Sequence, residues 1–119
     1  MPQDFAPGDF LVFQLEAGFG LLRVLGRDEN DGDTVWHLAA YRDLFMDVDS
    51  AEQATTVPAS LAIEIPHAAL TNRAFEATQT AKISNAPLTA AESRPLSDWR
   101  SDSNPQVSDR SIRLLLGLR

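Results

Sequence analysis

PGDFLVFQLEAGFGLLRVLGRDENDGDTVWHLAAY, residues 7–41, is the stretch whose reading decides the fold. Pro7-Gly8-Asp9 is a turn signal, and the run behind it, FLVFQL (10–15), is rich in aromatic and β-branched residues. Leu11, Phe13 and Leu15 share one face of the expected strand, with Gln14 on the other. Glu16-Ala17-Gly18 makes a short connection to a second run, FGLLRVLGR (19–27), so the two runs should form an antiparallel hairpin. Gly20 and Gly26 inside that run predict bulges or sharp bends. A polar tip, DENDGD (28–33), carries the hairpin dipeptide Asp31-Gly32 and leads into a third strand, TVWHLAAY (34–41). In it Trp36 and Leu38 face one way, and Val35, His37, Ala39 and Tyr41 the other. Apolar residues on both faces mean that both are covered, by curling into a barrel or by packed helices.

Further along, regularity fades. Ser50, with Gln53 three residues on, fits a capped helical turn. Residues 61–65 (LAIEI) alternate, which predicts Leu61, Ile63 and Ile65 pointing inward and Glu64 outward, ended by Pro66. Residues 67–80 permit a helix through Ala69, Leu70, Ala74, Phe75 and Ala77. Residues 84–108 carry Pro87, Pro95 and Pro105 and read as loop-rich, although Thr89 with Glu92 is a capping-box match. Ser108 is placed to cap a last helix running to Leu116 and stopped by Gly117, with Ile112, Leu115 and Leu116 as its buried stripe. The expected fold is one α+β domain over 1–119, β-rich in 8–66 and mixed helix and loop in 67–119. Its sheet is curved, mainly antiparallel, of about four to five strands, partly closed as a small barrel, with one to three short helices.

The chain has 119 residues, 44% hydrophobic and 23% charged, an ordinary globular composition large enough for one core. It holds no cysteine, which excludes disulfides and thiolate chemistry and suits a reducing cytosol. The start, MPQDFAPGDF, lacks the features of a secretory signal, and no run approaches the ~20 apolar residues of a membrane span, so a cytoplasmic protein off the membrane is expected. Net charge is −7, unevenly spread: residues 1–60 hold 11 acids against three arginines, a net −8, whereas 61–119 hold six acids against seven bases, a net +1. An acidic half repels phosphate backbones and attracts basic surfaces, which disfavours direct nucleic-acid binding.

Motifs for chemistry fail on inspection. Gly18-Phe19-Gly20 opens like a dinucleotide fingerprint, but Arg23 stands where the third glycine belongs and a strand follows where a helix is needed. With Gly32 at the sixth place of a calcium loop, Arg27 falls at the first, where a carboxylate is required. His37 and His67 lie in different elements without ligand spacing, and no GxSxG elbow presents a nucleophile. No catalytic, cofactor or metal residues are therefore expected, and His37 reads as a packed strand residue. What remains is aromatic Tyr41 and Phe45 interleaved with Asp43, Asp47 and Asp49, a mixture common at protein-binding surfaces, with Trp36 nearby.

One resemblance adds to this. Gly8-Asp9 before a strand, Gly18-Phe19-Gly20 at a turn, Arg23-Val24 in the next strand and aromatics from Tyr41 to Phe45 resemble the opening of the Immunity protein 26 family. The resemblance runs from residue 7 to 48; after Pro66 only loose features such as Ile83, Pro87-Leu88 and Trp99 align. It implies a cytosolic protein that neutralises a cognate toxin in a bacterial polymorphic-toxin system by binding it, without catalytic residues or cofactors. The partner expected is another protein with a basic surface. A non-catalytic accessory subunit of a larger defence or regulatory assembly, contacting partners through residues 99–119, is the alternative. A small hydrolase or ligand-binding barrel with His37 in its pocket is a third. A free sheet edge can pair with a second copy, so a homo-oligomer is compatible with all three.

Overall fold

A computed structural model describes residues 4–117 of the chain; residues 1–3 and 118–119 of the expected domain lie outside it. Five strands form one antiparallel sheet: β1 (Asp9–Leu15), β2 (Gly18–Asn30), β3 (Asp33–Tyr41), β4 (Ile63–Thr71) and β5 (Thr80–Asn85). Their order is β4-β3-β2-β1-β5, a four-strand meander whose fifth strand returns to the free side of β1. The helices are α1 (Val48–Ala54), α2 (Asn72–Glu76), α3 (Ala90–Ser101) and α4 (Ile112–Leu115), with one 3₁₀ turn at Pro58–Ser60.

The α+β class and the antiparallel meander follow the expectation; barrel closure does not. β4 and β5 remain the two edges of an open sheet. Closure is unnecessary because helices cover both faces. One face gathers Leu11, Phe13, Leu22, Val24, Trp36, Leu38 and Leu70 beneath Phe75 of α2 and Ile112 of α4. The other carries Phe10, Val12, Leu21 and Tyr41 beneath Ala51 of α1, and Leu25 and Ala39 beneath Leu96 of α3. Four helices exceed the one to three expected, because α3 forms within the stretch read as loop.

Local chemistry accounts for most boundaries. Asn30 pairs with Asp33 across a two-residue turn in which Asp31 (φ 54°) and Gly32 (φ 84°) both take the left-handed conformation, the type I′ geometry that matches strand twist. The true tip is thus Asp31-Gly32, and Asp28 sits inside β2. The register of β2 on β3 shifts between Val24 and Gly26, the bulge expected there. At Gly20 no bulge exists: it pairs regularly with Phe13, whose ring lies where a Cβ would stand. Asp47, not Ser50, caps α1, its side chain accepting from Ser50 N at 2.7 Å. α3 has the Thr89/Glu92 capping box, and Ser111 rather than Ser108 caps α4, which ends before Gly117 (φ 76°). In α4 Ile112 is buried, Leu115 half-buried and Leu114 exposed, and Leu116, which follows as its C-cap, is half-buried.

β4 departs furthest from its reading. It passes through Pro66 instead of ending there, because the proline falls where the β3–β4 register slips between Ala68 and Ile65, at a place that needs no ladder donor. Ile63 is 46% exposed and Leu61 and Ile65 are half-buried, so the alternation in 61–65 marks an edge strand and not a core one. The helix allowed for 67–80 is reduced to α2, since 67–71 complete β4 and β5 begins at Thr80.

Arg23 joins the layers. Its guanidinium, 1% exposed, bonds both carboxylate oxygens of Glu92 on α3 (3.1 and 3.3 Å), donates to the carbonyls of Gly8 (2.7 Å) and Pro87 (3.3 Å), and lies 4.0 Å above the Phe10 ring.

Gly20→Ala should destabilise the protein by about 1–3 kcal/mol in urea unfolding, as overpacking does. Phe13→Leu in the same chain should recover part of that loss; equal costs with and without Phe13 would refute the ring contact as its cause.

Candidate functional site

Two groups of residues are candidates for a functional site. The first is segment 42–49, RDLFMDVD, which runs from the end of β3 into the first turn of α1. Its backbone is pinned to β2: Phe19 N donates to Phe45 O (2.7 Å) and Phe45 N to Phe19 O (2.9 Å). Gly18 permits this approach, because a Cβ there would run into the Phe45 carbonyl. Further ties run from Arg42 N to Ala62 O (2.7 Å) and from Ala62 N to Asp43 Oδ1 (2.7 Å), and Arg42 pairs with Glu64 at 2.9 Å. Hydrogen bonds to Ser50, chiefly from its side chain, hold the Asp47 carboxyl below its ordinary range.

The five residues expected at a binding surface therefore divide. Asp47 and Asp49 are exposed, Asp43 and Phe45 half-buried. Tyr41 is buried, stacked on Phe10 with ring centroids 6.2 Å apart, and desolvation pushes its phenol up to about 12. It supports the segment from beneath and belongs to the core, as does Trp36, whose indole donates to Asn72 at 2.8 Å. Sequence reasoning missed Leu44 and Met46, which are 63% and 89% exposed. The available signal was the run of apolar residues interrupted by acids in DLFMDVD, whose spacing suits neither a buried strand nor an amphipathic helix.

The second group joins the two histidines that the sequence left apart. His37 on β3 and His67 on β4 face each other with Nδ1 of the first 2.9 Å from Nε2 of the second. His37 Nε2 lies 3.1 Å from Asp28 Oδ2, and Arg100 of α3 grips the same carboxylate with contacts of 2.5 and 3.3 Å. That grip, first among the causes, holds the Asp28 carboxyl below its usual range. An ionised carboxylate only accepts, so His37 Nε2 carries a proton; with His37 neutral, its Nδ1 accepts from His67 Nε2–H. Burial pushes both imidazoles down, His67 to about 4 with His37 adding to the effect. Trp99 stands edge-on to His37 at 4.6 Å, and its indole donates to Gln106 O at 2.7 Å. A groove of about 560 Å³ runs alongside, lined by Ile65, His67, Ala69, Trp99, Val107 and Leu115 among others.

This column can take up and pass a proton. Among the described residues no hydroxyl side chain is hydrogen-bonded to either ring, and no group of three or more His, Cys, Asp or Glu is placed to hold a metal ion. His37 is a packed strand histidine, as expected, but its main partner is the one residue that the spacing argument set aside.

Asp28→Ala should cost about 1–3 kcal/mol at neutral pH, because it strands the buried His37 Nε2–H. Glu29→Ala, removing the neighbouring exposed pair with Arg27, should cost well under ~1 kcal/mol. Equal losses in paired urea titrations would contradict the buried column.

Set against protein-family models, curated proteins and solved structures, the chain matches none of them.

Proposed function

We propose that this chain is a protein-binding domain and that segment 42–49 is its contact surface. The observation that carries the reading is Leu44 and Met46: two large apolar side chains exposed on a backbone bridged to β2, with Asp43, Asp47 and Asp49 on the same segment. Apolar side chains held out to water have an unfavourable hydration that a partner relieves, and a segment already fixed loses little entropy on docking. The acids add a field that favours a basic partner and raises the encounter rate, in keeping with the net −8 of residues 1–60.

Two further considerations support an immunity-type role, in which the partner is a cognate toxin met in the cytosol. The residues that resemble Immunity protein 26 are ones this fold uses: Gly8 O and Arg23 meet, Gly18 admits Phe45, and Gly20 lies under Phe13. That resemblance bears on the scaffold alone, while the partner is read from the surface. The alternative contact region in the C-terminal part is engaged internally, since Trp99 packs on His37 and Arg100 pairs with Asp28. That favours the binding reading centred on 42–49 over an accessory subunit docked through Trp99 and Arg100.

The test begins with affinity purification from the native host and identification of the co-purifying protein. Leu44→Ser/Met46→Ser should leave stability within about 0.5 kcal/mol, as exposed substitutions do, and weaken binding of that protein by roughly ten-fold or more. Asp43, Asp47 and Asp49 changed together to Asn, which keeps the side-chain acceptors for Ala62 N and Ser50 N, should slow association roughly ten-fold at low salt and much less at high salt. Unaltered binding by both variants would refute the surface.

A further inference from the structure

Segment 99–108 straps the outer edge of the sheet. Ser108 N donates to Ala69 O (2.8 Å) and Thr71 N to Ser108 O (3.0 Å), a short parallel bridge along β4. Ahead of it, the Trp99 indole holds Gln106 O, and Arg100 holds Asp28. Between these attachments the strap lies over the histidine pair: Trp99 is 4.6 Å from the His37 ring and 6.2 Å from that of His67.

The pair has a stoichiometric limit set by its geometry. With Nδ1 and Nε2 2.9 Å apart, one proton fits between the rings. A neutral pair and a singly protonated pair both satisfy that bond. Two imidazolium rings would set N–H against N–H, with two positive charges in contact. Separated histidines each take a proton below their ordinary value, so parting the rings binds one more proton than keeping them together. The geometry points to a proton-operated catch: we infer that acid parts His37 from His67 and frees the strap at Trp99.

The charges bearing on the pair are accounted for element by element. β2 contributes Asp28, which favours a first proton on His37, and α3 contributes Arg100, which opposes it. The strap faces the groove with Gln106, Val107 and Ser108, and α4 with Leu115, none of them titratable in this range. Asp28 keeps its charge throughout, being held below the usual carboxylate range, so loss of the Arg100 pair is not the trigger. For the sign, an unpacked histidine takes a proton near pH 6.5 and docked His67 only near 4. The docked state is therefore fully favoured above 6.5 and loses ground as pH falls from 6.5 towards 4.

The two tryptophans make a direct test. Each indole N–H has one acceptor, Asn72 for Trp36 in the core and Gln106 for Trp99 in the strap. Proton–nitrogen NMR spectra of the full chain, titrated from about pH 7.5 to about pH 4, follow both in one sample. The Trp99 signal should move to the position of a solvent-exposed indole, with a midpoint between 4 and 6.5, while Trp36 stays. His67→Gln, which donates to His37 but takes no proton, should abolish the movement. His67→Phe, a ring without a titrating nitrogen, gives the same test if the first variant folds poorly. A Trp99 signal that stays docked to pH 4, both signals collapsing together, or a transition that survives loss of the imidazole would each overturn the catch.

Discussion

A guanidinium buried to 1% exposure is the constraint on which the rest of this structure depends. Taking such a charge out of water costs several kcal/mol after relaxation, so Arg23 is tolerated only where each of its directions is answered. Glu92 answers with both oxygens, two backbone carbonyls accept from it, and the Phe10 face takes its flat side. Those groups belong to the turn entering β1, β1 itself, the link after β5, and the first turn of α3. Glu92 is held in turn by the capping box, accepting from Thr89 N at 2.8 Å. The same carboxylate thus begins a helix and neutralises a buried cation, which fixes where α3 starts and how it lies on the sheet.

Both candidate regions descend from that arrangement. On one side, Arg23 lies on Phe10, Phe10 stacks on Tyr41, and Tyr41 ends the strand from which segment 42–49 emerges. Leu44 and Met46 are exposed because the backbone around them is already committed to Phe19 and Ala62. On the other side, α3 leaves the clamp with Leu96 packed at Gly26, where a Cβ would approach the leucine to 2.8 Å, and arrives with Trp99 and Arg100 over His37 and Asp28. Segment 42–49 and the histidine column are separate features on one frame.

What was legible in the sequence was local. Asp31-Gly32 specifies its turn because both positions need positive φ, and Thr89 with Glu92 specifies a helix start through two reciprocal bonds. The alternation in the first three strands identifies two covered faces. What escaped depends on distant partners. β5, TAKISN, is short and mixed in polarity, and it becomes a strand by pairing with β1. Ile63 alternates like a core residue, yet no layer covers it at the sheet edge. Ser50 looks like a cap, but Asp47 reaches the Ser50 amide first, which starts α1 earlier. His37 and His67 meet across two strands, because His37 pairs with Ala69 and His67, two residues along β4, lies diagonally opposite it on the same face, and no spacing rule within one element reports that. Of the residues expected at a binding surface, Asp43, Asp47 and Asp49 were chosen by charge, and Tyr41 and Phe45 by their aromaticity. Their roles as surface acid, cap or core support are set by burial.

The central claim is that Arg23 and Glu92 act as one unit in holding α3 to the sheet, and a double-mutant cycle measures it most directly. Urea unfolding of the chain, Arg23→Met, Glu92→Gln and the double variant gives the coupling free energy. The account predicts that each single change is costly and that the double variant is about 2 kcal/mol more stable than the sum of the two losses implies. Additive losses, within about 0.5 kcal/mol, would show that the two side chains contribute independently and would contradict the clamp.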